Sequence, residues 1–547
     1  MAYPFDERLF GHILTDQAKK LRDKPFCHFK DHAFTYGQVE KKANQMAAAY
    51  QSLGIKKGDC VVAMLPNTPE FIFHWFGLAK LGAIDAPINT AYKGELLKHV
   101  INICDARVML IHEQFLERLA LIQDDLVSLE KIVVFCPSGE APQSDLKFEM
   151  IMLEELIRDK DFADVSADGL KPSDPLMIIY TSGTTGPSKG AVLPHQALYY
   201  YACDIIDCLG FTQDDIIYSN LPLYHINIRF FTIMASLLVG GSFVLAERFS
   251  ASRFWDEINQ YKATAFCFPG AAMINYIYNQ PPKKDDADNS VRIAWMGPIS
   301  GDMAQKFEKR FNLKVYLGYF GMTEANYITS LDIAEMDNLK KQGKWDQAVG
   351  MGKENKDRYE VKLVDENDNE VPTGQSGEII CRPARPFSMM LEYINMPEKT
   401  LEAFRNLWFH TGDMARKDEE GHFYFVDRKK DYLRCKGENI SSFEVESAII
   451  SHPAVAEVAV IAVKYRDLEE EIKAIIRLKE GQDFSYEDLM AWCEERMAYF
   501  MVPRFIQLTT RELPKTPTGR IQKYKLRELE ETGEVWDRVK AGYKLKR

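Results

Sequence analysis

Over roughly the first 250 residues, short apolar and β-branched runs alternate with stretches whose apolar residues recur at helical spacing. CVVAMLP (60–66) follows a helical pattern over 43–53, and FIFHWFGLAKLG (71–82) reads as the next helix. ARVMLI (106–111), KIVVF (131–135), PLMIIY (175–180) and SFVLAE (242–247) are further apolar strands. Continuous apolar strands separated by helices predict a parallel sheet buried on both faces. From about residue 350 the texture changes. VKLVDENDNEVPTGQSGEIICR (361–382) and GHFYFVDRKK (421–430) alternate and carry Asn/Asp/Gly turns, which predicts antiparallel hairpins. After 428 comes a compact α+β pattern that includes a helix over 487–498, and the domain boundary is placed there.

Composition narrows this picture. A chain of 547 residues exceeds the size at which one hydrophobic core stops growing, roughly 250–300 residues, so two or three domains are expected. With 46% hydrophobic and 27% charged residues the chain has an ordinary globular composition. A net charge of −12 argues against a nucleic-acid partner, which calls for a basic face. The longest apolar stretch, 231–246, holds Gly240, Gly241 and Ser242. It is shorter than the roughly 20 residues of a membrane helix and reads as a helix turning into a buried strand. The N-terminus shows no secretory pattern. Ten cysteines without a C-x-x-C pair or a metal spacing read as reduced thiols, and a cytoplasmic location is expected. The spectrum of partners is then small molecules, with both a monomer and a homodimer compatible.

The most informative segment is YTSGTTGPSKG (180–190), hard against the apolar run LMIIY. Glycines let backbone N–H groups approach phosphate, hydroxyls donate to phosphate oxygens, and Lys189 supplies charge. A flexible Ser/Thr/Gly linker is the bland alternative. The Walker A spacing is absent.

This segment resembles the TSGTTGxPKG loop of the adenylate-forming superfamily of acyl- and aryl-CoA ligases, with Ser188 in place of the usual proline. The resemblance runs the length of the chain, because the other signatures follow in order: LPLYHINI (221–228), GYFGMTE (318–324), WFHTGD (408–413), FVDRKKDYLRCKGENISSFEVE (425–446) and LPKTPTGRIQKYKLRE (513–528). It implies a large N-terminal domain (1–427) of parallel-rich αβ sheets with a β-rich subdomain at about 350–427. A small, mobile α+β C-terminal domain (428–547) completes the expected fold.

It also implies ATP, Mg²⁺ and coenzyme A as cofactors, and a small carboxylic acid that is first adenylated and then transferred to the thiol. Thr181, Ser182, Gly183, Thr184, Thr185, Gly186 and Lys189 then surround the phosphates, and Thr184, Lys189, His225, Glu324, Arg520 and Lys523 are the residues expected to be catalytic. Tyr319, Phe320, Gly321, Met322 and Thr323 form the adenine segment, with Phe320 as the stacking ring, and Glu324 anchors the metal. Asp413 and Arg428 take the ribose. His225, Asn227, Arg229, Gly297, Pro298 and Tyr319 line the acyl pocket, His225 at its mouth. Lys430 is the hinge, and Lys436 and Gly437 approach the pantetheine arm.

Two departures stand out. Where the family has a catalytic lysine this chain has Arg520, a longer, planar cation that does not interchange with lysine. Three readings stay open: Arg520 does the work, Lys523 swings in, or adenylation is impaired and the chain is an acyl-AMP-binding protein. The second departure is Trp295 in WMGPIS (295–300), whose bulk is expected to reshape the acyl pocket. Segments 70–89 and 250–264 look most similar to crotonobetaine/carnitine-CoA ligases. A quaternary ammonium, however, wants a carboxylate or an aromatic cage, and this motif offers Asn227 and the cationic Arg229. A neutral apolar acid, aryl or alicyclic, is preferred. Crotonobetaine or carnitine, a short or medium fatty acid, and a second carboxylate facing Arg229 remain as alternatives.

Overall fold

The computed structural model describes residues 3–139, 145–158, 169–181, 188–268, 271–295, 297, 299–429, 433–435, 438–440, 442–465, 469–482, 484–497, 501–515, 521–528 and 534–545. The chain divides into two compact units, one of residues 3–181, 188–360 and 382–406, the other of 361–381 and 407–545.

The first unit holds two large sheets. In one, eight strands run in the order Glu392–Tyr393, Lys189–Pro194, Pro175–Thr181, Ile84–Pro87, Cys60–Met64, Val108–His112, Lys131–Phe135 and Glu149–Met152. Pairing is parallel from Pro175–Thr181 to Glu149–Met152. The other two strands break the expected parallel pattern, since Lys189–Pro194 runs antiparallel to both its neighbours. The reason is the short connection: a hairpin joins antiparallel strands, whereas a parallel return needs a dozen residues or more. The second sheet has seven strands, parallel from Lys314–Tyr316 through Pro25–Phe29, with His32–Thr35 antiparallel at its edge.

The helices between them start and stop on local chemistry. Tyr36–Ser52 opens on a reciprocal cap in which the Thr35 hydroxyl accepts from the Gln38 N–H and the Gln38 side chain accepts from the Thr35 N–H. Pro69–Leu81 begins on a proline, whose missing N–H is not needed there, and ends on Gly82 in the left-handed region at φ +71°. The apolar stretch 231–246 turns from the helix Ala235–Val239 through Gly240 into the strand Ser242–Leu245. Among the described residues no helix is long and apolar enough to cross a membrane.

The second unit carries an antiparallel four-stranded sheet, Tyr359–Val364, Ser376–Pro383, Phe409–Lys417 and Phe423–Arg428. The expected hairpin at 421–430 is a single strand here; its partner is Phe409–Lys417, reached through a turn that ends on Gly421. Beyond it, Val455–Tyr465, Glu469–Leu478, Phe505–Thr509 and Val535–Asp537 form a second sheet. Val445 and Ile449 of the helix Ser442–Ile450 and Leu489 and Cys493 of Tyr486–Glu494 join a core with Val458, Val460 and Ile472.

Candidate functional site

The phosphate-loop motif joins the two antiparallel strands that end at Thr181 and begin at Lys189, which pair directly. The Thr181 hydroxyl donates to the Lys189 carbonyl at 3.3 Å. Ser182, Gly183, Thr184, Thr185 and Gly186 lie outside the described residues. Ser188 is buried, with its hydroxyl 3.4 Å from that of Tyr92, while the His99 ring Nε2–H donates to its carbonyl at 2.9 Å. A serine in place of proline thus gains a hydrogen-bonding partner at the loop's exit. The Lys189 ammonium stands 4.0 Å from the centroid of the Tyr393 ring, within cation–π range.

Tyr393 is a residue that sequence reasoning missed. It sits on the edge strand opposite Ala191, and its hydroxyl donates to Glu324 Oε1 at 2.8 Å. Burial first, and then the Glu324 charge, raise its phenol far above the ordinary value, so it serves Glu324 as a neutral donor. Its only signal in the sequence was a tyrosine one strand before the Pro397 helix start, with nothing to point at Glu324, 69 positions away. Glu324 is buried, and its backbone carbonyl accepts from Met390 N–H at 2.8 Å. A carboxylate with one oxygen steadied by a phenol offers the other as a hard ligand, which fits Mg²⁺.

In the neighbouring strand Tyr319–Phe320, alternation sends the two rings to opposite faces. Tyr319 stacks on Tyr327 with centroids 4.9 Å apart and planes at 19°, leaving Phe320 on the other face. Gly321 has to be glycine, because a Cβ there meets the Tyr327 backbone nitrogen at 2.8 Å. Met322 closes the following turn by donating to the Ala325 carbonyl, and Thr323 lies between it and Glu324.

The motif 221–229 opens a helix that is wound in the wider π form over Ile228–Met234. His225 Nδ1 accepts from the Asn227 N–H at 3.2 Å, which leaves the proton of the neutral ring on Nε2. Arg229 differs from expectation. It is 1% exposed, and its guanidinium pairs with Asp85 while donating to the Leu223 carbonyl at 2.5 Å, so it offers no uncompensated charge. Its partner is 144 positions away on the strand Ile84–Pro87, beyond the reach of local pattern. Trp295 is fully buried, edge-on to Phe211 at 5.4 Å, so its bulk fills the packing of the sheet. Gly297 takes φ +74°, and Pro298 lies outside the described residues.

In the second unit Asp413 sits on the strand Phe409–Lys417 opposite Arg428, whose Nε lies 2.8 Å from its Oδ1. Glu378 holds this turn together, accepting from the Gly412 N–H, His410 Nδ1 and the Lys429 ammonium at 3.2, 3.2 and 2.7 Å. Burial alone would raise the Glu378 carboxyl. The hydrogen bonds from His410 and Lys429 and their charges outweigh it and bring the group down to about 2. Lys523 is engaged as well: it donates to the Ser442 hydroxyl and lies 2.8 Å from Glu446, while Ser442 donates twice to Asp427. Lys430, Lys436, Gly437 and Arg520 lie outside the described residues.

The order of these motifs along the chain is that of an adenylate-forming enzyme of the acyl- or aryl-CoA ligase class. The AMP-binding enzyme profile matches residues 14–394 and that of the AMP-binding enzyme C-terminal domain residues 444–520, and the chain belongs to this family. Crotonobetaine/carnitine–CoA ligases of Salmonella paratyphi B and Salmonella typhimurium are 33% identical to it over 502 and 504 residues, covering 90% of this chain and 93% of each relative. Among solved structures, the anthranilate CoA ligase AuaEII in complex with anthranoyl-AMP superposes with a TM-score of 0.82 at 28% identity, covering 96% of this chain and 98% of that one. ATP-bound MatB from Rhodopseudomonas palustris gives 0.81 at 25%, covering 95% and 98%. The chain is an ATP-dependent, AMP-forming ligase that uses ATP, Mg²⁺, coenzyme A and a carboxylic acid.

Proposed function

We propose that the acid is neutral and largely apolar, an aryl or alicyclic carboxylate first and a short or medium aliphatic one second. The observation that carries this reading is the neutralisation of Arg229 by Asp85, which removes the cation that would call for a second carboxylate. Phe231, on the same helical segment, packs edge-on to Tyr319 and Tyr327 at 6.5 and 5.8 Å, so the packing beside the motif is aromatic and uncharged. The anthranilate ligase supports an aryl acid. The crotonobetaine/carnitine relatives support a betaine, which is the alternative to these neutral acids.

In the proposed reaction a carboxylate oxygen attacks the α-phosphorus of ATP and the bond to the β-phosphate oxygen breaks, releasing pyrophosphate. The coenzyme A sulfur, losing its proton, then attacks the acyl carbon and AMP leaves. Loop 182–187 and Lys189 would bind the phosphates, Glu324, its rotamer fixed by Tyr393, would hold Mg²⁺ as a charge-neutralising Lewis acid, Phe320 would stack on adenine, and Asp413 with Arg428 would take the ribose. Arg520 carries the charge that adenylation requires, since Lys523 is occupied by Ser442 and Glu446. Residues 428–547 turn about Lys430 between the two steps, bringing Lys436 and Gly437 to the pantetheine. A cytoplasmic site follows from the need for both cofactors and reduced thiols.

The test is AMP release, with and without coenzyme A, on benzoate, cyclohexanecarboxylate, hexanoate, crotonobetaine and malonate. Benzoate or cyclohexanecarboxylate is expected to give the highest kcat/KM. Crotonobetaine leading the series would establish the betaine reading, and malonate leading it would show that Arg229 serves a second carboxylate.

A further inference from the structure

Four side chains from four elements form one buried chain of hydrogen bonds in the first unit. Tyr50, on the helix Tyr36–Ser52, lies 2.6 Å from Nδ1 of His74, on Pro69–Leu81. His74 Nε2 lies 3.1 Å from Asp85 Oδ1, on the strand Ile84–Pro87, and Asp85 Oδ2 takes the Arg229 guanidinium. None is more than 1% exposed. A neutral imidazole satisfies every contact, accepting from the phenol at Nδ1 and donating to the carboxylate from Nε2. Burial would raise the Asp85 carboxyl, but the Arg229 charge and the His74 hydrogen bond outweigh it and keep it ionised. Asp85 and Arg229 thus set one negative charge against one positive. The faces of Phe71 and Trp75, each with its centroid 4.9 Å from the guanidinium carbon, complete the cation's surroundings.

A sealed ion pair of this kind contributes little net stability, because the cost of desolvating two charges offsets their attraction. What it does fix is position. Arg229 Nε holds the Leu223 carbonyl, while Asn67 accepts from the Leu223 N–H and donates to the Leu221 carbonyl, both at 2.9 Å. The turn is thus gripped from two sides. Two residues on, the His225 N–H donates to the Pro222 carbonyl at 2.9 Å, and the ring accepts from Asn227. The backbone just before His225 is thus held to the core by Asn67 and Arg229.

We propose that Asp85 and Arg229 are a positioning pair that sets His225 at the lip of the acyl site and thereby selects the acid. This inference rests on the reading of 221–229 as the acyl-pocket motif. The pair acts through His225 and does not touch the reacting atoms. Its signature is a change in the KM for the acid, and in the choice among acids, with the KM for ATP unmoved.

The experiment is steady-state kinetics of the full-length enzyme on benzoate and hexanoate, comparing wild type, H225A, D85L/R229M, H225A/D85L/R229M and R229K. D85L/R229M is expected to raise the KM for benzoate about tenfold, the loss of roughly one buried hydrogen bond to a charged donor. It should level the preference between the two acids and leave the KM for ATP within about twofold. Placed in the H225A background the same pair of substitutions should add less than about twofold, since the group it positions is already gone. R229K keeps the charge beside Asp85 but has no Nε to hold Leu223; with its folding checked by circular dichroism and by an unchanged KM for ATP, it should show the same acid-specific rise. Multiplying effects in the H225A background, wild-type acid kinetics in R229K, or a parallel rise in the KM for ATP would each overturn the positioning role while leaving the acyl-pocket reading intact. If H225A itself leaves the kinetics of both acids unchanged, the acyl-pocket reading falls and the positioning role falls with it.

Discussion

Arg229 meets Asp85 where neither side chain is more than 1% exposed, whereas Arg428 meets Asp413 with its guanidinium 32% exposed and the carboxylate 3%. The residue types are the same and the consequences differ. In the sealed pair each charge depends wholly on the other, so the pair behaves as a fixed piece of scaffold. In the open pair water can replace the partner at the guanidinium, which is what the proposed exchange of arginine for ribose hydroxyls at Asp413 requires. Burial of the cation, rather than the identity of the residues, separates a fixed pair from one that can exchange partners.

The same substitution at both sites tests this most severely. D85N strands a buried guanidinium and should cost about 3–5 kcal/mol in urea unfolding. D413N leaves a cation that rehydrates, and should cost only about 1 kcal/mol. Equal losses would break the comparison. The second largest effect concerns the acid limb of the Asp413 turn. Glu378 has a folded pKa of about 2 against an ordinary value of 4.5, so its contribution is fully present above about 4.5 and is lost as pH falls towards 2. Its size is about 3 kcal/mol, and E378Q should lose that part of the pH dependence when unfolding is followed between pH 5 and 2. An unchanged acid limb in E378Q would assign it to other carboxylates.

In function the order reverses. D413N should raise the KM for ATP at least about tenfold through the loss of charge-assisted hydrogen bonds, while D85N leaves it near wild type at temperatures where the protein is folded. The smallest effect sharpens the picture around Glu324. Y393F removes one donor from its carboxylate, worth about 1 kcal/mol, and should raise the Mg²⁺ concentration for half-maximal AMP release about fivefold. No shift in the Mg²⁺ dependence would separate Glu324 from the metal.

Periodicity located the helices near 43–53 and 71–82 and the strands around them, because each is specified by its own apolar residues. The ordered motifs likewise offered Thr181, Lys189, Glu324 and Asp413 as candidates, since turn chemistry and acidic side chains are local signals. What escaped was pairing across the chain. Asp85 neutralises Arg229 from 144 positions away, and Tyr393 reaches Glu324 across 69. Lys523 looked available because Ser442, 81 positions earlier, gives no sign in sequence that it is the partner. A charge read from a motif is a charge before compensation, and compensation is decided by the fold.

The π-wound turn at Ile228–Met234 has an evolutionary reading as well. A π turn holds one residue more than the α turn it replaces. Deleting a single codon there would therefore return the segment to ordinary helical pitch without cutting any sheet connection and without turning the residues on either side of it against each other. Gain or loss of one residue at this place is a change of length that the helix can absorb while the sheets on both sides of it stay paired.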